Sequence, residues 1–536
     1  MSPSRTVLFL LLLAGGAGAQ LSGTYTIGPS GNYKTFSAAA SDLAAKGVKG
    51  PVTFLVPPFK STESFTLPHV PGASRTNKVT FKSIVPRMAK LTGAGGPTLT
   101  FAKGSSAAPV AWYVIDGFEF TGGPSYAIAG NRYNYDIEIK NCSFLAGHTG
   151  RMWYVAGRSR CSRWKVHHNT FKMITGGYGL YLSQISHWEI HHNAFDMNGC
   201  TRGLFFINLN RAYNKIWDNI FYGNLSGGSS YNAALHVAAS NYENMVVNNT
   251  FLLNTTANAI FTQGYSSGIN HFHDNIIMVL GGGTCMRVYY ASSVPKLSLY
   301  TADNNIYWAP GGAIGYWNKK YTTLSSWKAA LAAYNAAKDA KSKNVDPLLV
   351  KASAPYDLHI KPASPARDAA LYTPKYVTDD YEGNPRGTRP DIGAYEIPSG
   401  FLVYGKACAG SGNFAPQIGS QGSAAIGSTT FAVTLSKALG GTGSILSIGS
   451  TNKAWGSVPL PFALGGGCSI YNKITLGLPV TVSGTGPGNG TAKVNLPIPN
   501  NPVLAGGKIY FQWLVADAQA PDPFGLVTTR GGILAL

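Results

Sequence analysis

One short pattern of apolar and polar positions recurs along the middle of the chain: an apolar residue, a brief polar turn, then another apolar residue. It reads IDGFEF at 115–120, IKNCSF at 139–144, VHHNTF at 166–171, IHHNAF at 190–195, IWDNIF at 216–221, VVNNTF at 246–251, FHDNII at 272–277 and TADNNIYW at 301–308. Aligned on the last apolar position, the register passes through Phe120, Phe144, Phe171, Phe195, Phe221, Phe251, Ile277 and Tyr307, at intervals of 24 to 30 residues. A self-similar period in that range signals a solenoid. A strand, a sharp corner and a second strand produce the order apolar, polar, apolar.

At the corner the column reads Cys142, Asn169, Asn193, Asn219, Asn249, Asn275 and Asn305. Asn tolerates left-handed backbone geometry, and its amide both donates and accepts. Stacked on successive coils, it forms a ladder, which is a structural role. Each unit then carries a second apolar stretch: MWYVA (152–156), GLYLS (179–183), GLFFI (203–207), ALHVA (234–238), AIFTQ (259–263) and CMRVY (285–289). Three short strands per coil make three parallel sheets around a narrow apolar core, with coils ~4.8 Å apart. Neither the leucine signature of leucine-rich repeats nor a sustained helical period is present.

The ends carry different patterns. Residues 32–47 have an amphipathic helical pattern with Gly47 as a stop, followed by strand-like PVTFLV (51–56), which suits a cap over an open sheet edge. Residues 322–341 predict a second helical cap, with Ser325 or Ser326 at its start and Trp327, Leu331 and Tyr334 at helical spacing. Beyond 398–400 the texture changes to alternating strand-like runs separated by Gly, Pro and Ser, which predicts a β-sandwich-like domain. The expected organisation is a leader at 1–19, an N-terminal cap and first coils at 20–108, β-helix repeats at 109–320, a helical cap and closing segment at 321–398, and the second domain at 401–536.

Composition sharpens this picture. Only 12% of residues are charged while Gly numbers 64, a balance that favours short strands and tight turns over helical bundles. The first residues have a basic start at Arg5, an apolar run from Val7 to Leu13 and a small-residue site at 17–19, the pattern of a secretory signal. That apolar run falls short of the ~20 residues a membrane span needs. No later segment is long and apolar enough, so a soluble monomer outside the cytoplasm is expected, secreted or in the cell envelope. The net charge of +20 draws polyanions. In an exported chain, Cys408 and Cys468, the only two cysteines of the second domain, are expected to pair. Cys142, Cys161, Cys200 and Cys285 stand at differing repeat positions and are open to either bridges or buried thiols.

The repeats, the Asn column and the helical N-terminal cap resemble the secreted right-handed parallel β-helix proteins of pectate-lyase-like fold, over about residues 22 to 398. The segments at 345–350, 357–370 and 379–396 resemble the closing motif of secreted bacterial β-helix proteins, and the second domain resembles an accessory β-domain of secreted bacterial proteins. The resemblance implies an all-β fold, a right-handed parallel β-helix with helical caps followed by a β-sandwich-like domain. It also implies a substrate groove on the sheet built from MWYVA through CMRVY.

On that sheet, parity places Tyr154, Tyr181, Phe205, His236, Phe261 and Arg287 outward in one file, and Ser183, Ile207, Gln263 and Tyr289 in a second. Aromatic faces suit sugar rings and Arg pairs with carboxylate or sulfate, so Tyr154, Tyr181, Phe205, Phe261, Arg287 and Tyr289 are the candidate substrate-binding residues. Glycoside hydrolysis needs two flanking carboxyl groups, and neither file holds Asp or Glu. The acids nearest in sequence, Glu138, Glu189, Asp196, Asp218 and Asp274, belong to other faces or turns. β-Elimination needs a neutralised uronate carboxylate and a base, roles that Tyr181, His236 and Arg287 can fill, with Arg158 and Arg202 nearby. The paired histidines His167-His168 and His191-His192, with His273, read as stacked turn imidazoles and no metal set. Asp379, Asp380, Glu382 and Asp391 lack a calcium-loop spacing and read as turn-stabilising groups paired with Arg386 or Arg389. No cofactor is expected. The functional expectation is a carbohydrate-interacting protein that recognises an acidic polysaccharide or other extracellular polyanion, with lyase-like cleavage by β-elimination as the chemistry these residue types allow. The alternative is a non-catalytic structural or adhesive envelope protein.

Overall fold

A computed structural model describes residues 19–536 except 174, 208–212, 227–230, 240–242, 265–268, 291–299, 333–337, 388, 398–399 and 505; the side chains of 157–160, 205–207, 238–239, 264, 290 and 502 also lie outside the described residues. The leader expected at 1–19 therefore falls almost wholly outside them.

Among the described residues, the central body is a parallel β-solenoid of three sheets. Sheet I, of 13 strands, 11 of them along its main path, contains the MWYVA-type strands such as Tyr178–Ser186 and Arg202–Ile207. Sheets II and III have 11 strands each, and contain strands such as Glu189–His191 and Ala194–Asp196 respectively. Strands pair with the equivalent strand of the next coil, as in Phe171↔Phe195 and Phe195↔Phe221. This register stacks like on like. Phe120, Phe144, Phe171, Phe195, Phe221 and Phe251 lie ring on ring at centroid separations of 4.4–4.9 Å, all fully buried.

The Asn column forms the expected ladder at the corner between sheets II and III. The Asn193 amide Nδ2 donates to Asn219 Oδ1 at 2.9 Å, Asn219 to Asn249 at 3.0 Å, and Asn249 to Asn275 at 3.1 Å. Ser342 Oγ closes the end by accepting from the Asn305 backbone N–H. A second ladder, absent from the sequence reading, stands at the corner between sheets I and II. There Asn214 donates to Asn244 at 2.9 Å and Asn244 to Asn270 at 2.8 Å. Earlier coils fill the same column with Ile137, Trp164 and Trp188, so the column is only half Asn.

The N-terminal cap is helix α1, Phe36–Lys46, with Thr35 accepting from the Ala38 N–H and Gly47 at φ 65° ending it. Helix α2, Leu324–Ala332, buries Trp327 and Leu331. It is shorter than the sequence pattern predicts; Tyr334 lies outside the described residues. Its first turn is held by Thr323 Oγ1, which accepts from the Ser326 N–H at 3.2 Å, in place of Ser325 or Ser326 as the capping residue. Gly315 makes room for Trp327: a Cβ there would stand 2.3 Å from the indole.

In the closing segment, the buried Arg386 guanidinium binds Asp218 at 2.5 Å and Glu396 at 2.8 Å. Asp380 accepts from the backbone N–H groups of Glu382, Asn384 and Glu396, and Asp391 from those of Asp368 and Ile397. The Arg386–Asp218 pair ties the segment to the coils, while Asp380 and Asp391 hold the segment's own turns together. The remaining 400–536 region is antiparallel, with sheets of six and three strands enclosing Phe431, Val433, Leu435, Phe511, Trp513 and Leu534. Cys408 and Cys468 are bonded, and Cys142, Cys161, Cys200 and Cys285 are buried free thiols. No helix among the described residues is long and apolar enough to cross a membrane.

Candidate functional site

Strand pairing on sheet I places Tyr154↔Tyr181, Tyr181↔Phe205, Phe205↔His236, His236↔Phe261 and Phe261↔Arg287 in one continuous register, extended by Arg287↔Tyr316. The second file runs Ala156↔Ser183↔Ile207↔Ala238↔Gln263↔Tyr289. The Phe205 and Arg158 side chains lie outside the described residues.

Within the main file the residues divide. Tyr154 and Tyr181 are half-buried, whereas His236 and Phe261 are buried at 2% and 0% exposure. These two face outward by register but cannot meet a sugar ring. Their rings pack on each other at 4.3 Å, and Tyr231, Arg287 and Tyr289 crowd Phe261. Burial, aided by the Arg202 charge, pushes the His236 imidazole down to about 3 against the opposing effect of its hydrogen bond to Gln263, so it is neutral. Tyr289 remains 37% exposed.

The coil spacing also decides what the tyrosines present. Tyr126 and Tyr154 stack at 5.3 Å, as do Tyr154 and Tyr181. Tyr154 and Tyr181, in register on adjacent coils, stack along the solenoid axis, so their faces cover one another and their edges point outward. The expected sugar-on-face contact is therefore restricted, and the file offers phenol edges instead.

Arg151 completes this group: its guanidinium lies 4.4 Å from the Tyr181 ring centroid, 5.2 Å from Tyr154 and 5.4 Å from Tyr178. Arg202 stands 5.0 Å from Tyr178, in register with it. Further along, Arg287 lies 4.1 Å from the Tyr316 ring. Arg151, Tyr126, Tyr178 and Tyr316 were not singled out from the sequence. Parity fails at the corner leading into sheet I because Met152 and Trp153 both point inward, which hides Arg151 from an alternation argument.

The three candidate catalytic residues do not converge. Phe205 separates Tyr181 from His236, and Phe261 separates His236 from Arg287, so each step spans two coils, ~10 Å. The paired histidines stack coil on coil, His167 on His191 and His168 on His192, each at 4.8 Å, and His191 lies 4.2 Å from Trp217. Among the described residues, no three His, Cys, Asp or Glu side chains form a group able to hold a metal ion. Glu138 and Glu189 occupy the outward face of sheet II, in file with Lys165 and Lys215.

No protein-family model matches the chain, and no curated protein sequence matches it. Among solved structures, it is similar to pectate lyase Pel9A at 14% identity, covering 71% of this chain and 98% of that one, with a TM-score of 0.27. It is similar to the PL6 alginate lyase AlyGC at 12% identity, covering 70% of this chain and 60% of that one, with a TM-score of 0.26. The pectin methylesterase of Aspergillus niger follows at 10% identity, 61% and 93% coverage and a TM-score of 0.23. None of their chemistry is carried over at these values. The fold assignment rests on the strand registers described above.

Proposed function

We propose that this is an extracytoplasmic carbohydrate-interacting β-helix protein that recognises an acidic polysaccharide along the outer face of sheet I. The observation that supports this reading best is the Arg151 guanidinium set among the rings of Tyr154, Tyr178 and Tyr181. Stacked phenols with outward edges supply hydroxyl groups at the coil repeat, and guanidinium groups supply bidentate donors for carboxylate or sulfate. Neither outward file contributes a carboxylate, and the chain's net charge of +20 attracts the same class of ligand from a distance.

Binding is favoured over cleavage. β-Elimination needs a base within hydrogen-bond reach of the proton it removes. His236 is buried, and Tyr181 and Arg287 stand four coils apart. The test is equilibrium binding of polygalacturonate and alginate at low and high salt, with absorbance of unsaturated ends followed in parallel. The reading requires saturable binding that weakens with salt. Equal binding at both salt levels, or none to either polymer, removes it and leaves the structural or adhesive alternative. Growth of ultraviolet absorbance would add cleavage.

A further inference from the structure

The strand Lys508–Ala516 alternates, and its two faces meet different surroundings. Ile509, Phe511 and Trp513 point into the core between the antiparallel sheets. Lys508 and Tyr510 lie on the opposite face, where Tyr510 packs with Ile533 and Tyr404. That face borders a cavity of about 510 Å³, which Glu382 and Asn384 of the closing segment also line. Among the described residues, Lys508 makes no ion pair and no hydrogen bond. The two acids whose charge reaches it, Asp380 and Glu382, are already engaged. Asp380 accepts from the backbone N–H groups of Glu382, Asn384 and Glu396 and from the Asn384 amide. Glu382 lies between His359 at 3.4 Å and Lys453 at 3.5 Å, and its hydrogen bond with His359, aided by Lys453, holds the carboxyl down to about 2. Burial pushes the Lys508 ammonium below its ordinary value, and Lys453 adds to that, even with these two carboxylates nearby. An anion in the cavity would supply the compensation that the surrounding protein withholds.

The phenols of the cavity are placed by close packing. Gly531 lies against the Tyr404 ring and Gly405 against the Tyr471 ring, where a Cβ would come within 2.4 Å of either. Tyr404 donates its O–H to the Tyr471 carbonyl at 3.0 Å. The Tyr471 hydroxyl accepts from the Lys406 N–H at 2.8 Å, which leaves its own proton to donate. The Tyr510 hydroxyl has no hydrogen bond among the described residues. Lys508, Tyr471 and Tyr510 thus bring uncommitted donors to one cavity. The charges of Lys453 and Lys508 against that of Glu382 leave it one positive charge in excess. The rings serve as walls and hydroxyl donors, so no open aromatic face is required.

We infer that this cavity between the closing segment and the 400–536 region takes one uronic acid unit, with the carboxylate on Lys508 and sugar hydroxyls on Tyr471 and Tyr510. Its volume is that of a small-molecule pocket. A sulfate ion offers Lys508 the same oxyanion chemistry but no hydroxyls for the two phenols, so the two probes separate a sugar from a free ion. The cavity shares no residue with the sheet I face and stands or falls separately from it.

Titration calorimetry on the full chain with galacturonate, galactose and sodium sulfate tests it. Galacturonate should bind saturably, and galactose, which lacks the carboxylate, about tenfold more weakly or not at all. Lys508→Met keeps the stem but removes the charge, and should weaken galacturonate binding about tenfold. Tyr510→Phe should weaken it about fivefold, the loss of one hydrogen bond. Because the protein gives Lys508 no ion pair, Lys508→Met should unfold at the wild-type temperature or above it. Failure of galacturonate to bind, or undiminished binding by a natively folded Lys508→Met, overturns the site. Sulfate binding as tight as that of galacturonate overturns the assignment to a sugar. A lowered unfolding temperature in Lys508→Met overturns the claim that the lysine lacks a structural partner.

Discussion

The ring of Tyr181 lies 5.3 Å from that of Tyr154 and within 16° of parallel to it, because both occupy the same file position on adjacent coils. The stacking leaves the ring edges, and not the faces, available to a ligand. Tyr181→Phe keeps the stack but removes a hydroxyl, so it should weaken binding of an acidic polysaccharide by about 1 kcal/mol, roughly fivefold. Affinity measured by titration calorimetry checks this, with the unfolding temperature as a control for the fold. Binding unchanged in Tyr181→Phe would return recognition to the ring faces.

The Asn ladder should be a dominant source of stability. Asn219 Nδ2 donates to Asn249 Oδ1 and to the carbonyls of Ile190 and Trp217, while its Oδ1 accepts from Asn193. Asn219→Ala leaves buried partners on two neighbouring coils unsatisfied and should cost about 2–4 kcal/mol. Urea unfolding gives the value directly. Phe195→Ala should cost about 3–5 kcal/mol, as expected of a fully buried aromatic. A change below 1 kcal/mol in either variant would contradict the coil packing described here.

Acid should destabilise the protein in part through its stacked histidines. Burial, with the neighbouring His168, pushes His192 down to about 3, and burial pushes His168 down to about 4. An unfolded histidine titrates near ~6.5. Between these values the unfolded chain binds more protons, so stability rises with pH there; it is complete above ~6.5 and is lost as pH falls towards the folded values. His192→Asn places in this column the residue type that Asn248 and Asn304 already provide. Its unfolding temperature should fall less than that of the wild type between pH ~7 and ~4.5. Identical pH profiles for the two proteins would show that the stack does not carry the effect.

The Cys408–Cys468 bond closes a loop of 60 residues. In the chain-entropy model it contributes about 4 kcal/mol. Reductant should therefore lower the denaturant midpoint of the 400–536 region while leaving the solenoid transition in place. Alkylation of both cysteines without reductant would refute the pairing.

What the sequence discloses follows from how each interaction repeats. Phe195 and Asn193 announce themselves because the coil places identical residues at fixed offsets, and stacking rewards identity. The file from Tyr154 to Arg287 follows from strand parity alone, and the register agrees with it. Exposure does not follow from parity. Phe261 is covered partly by Tyr231, which lies in a longer coil, and His236 packs on Phe261 in turn. Arg151 is hidden because the chain turns a corner beside it, and Asn214, Asn244 and Asn270 because earlier coils fill their column with apolar groups.

The most direct measurement is the affinity of Arg151→Ala for polygalacturonate as a function of salt, beside the wild type. Arg151 lies against three tyrosine rings of the proposed face, and its charge is the part of the site that distinguishes an acidic from a neutral polymer. The account predicts a loss of about tenfold or more at low salt, a shallower salt dependence, and an unaltered unfolding temperature. Wild-type affinity with the wild-type salt dependence in Arg151→Ala would contradict recognition of an acidic polysaccharide on this face.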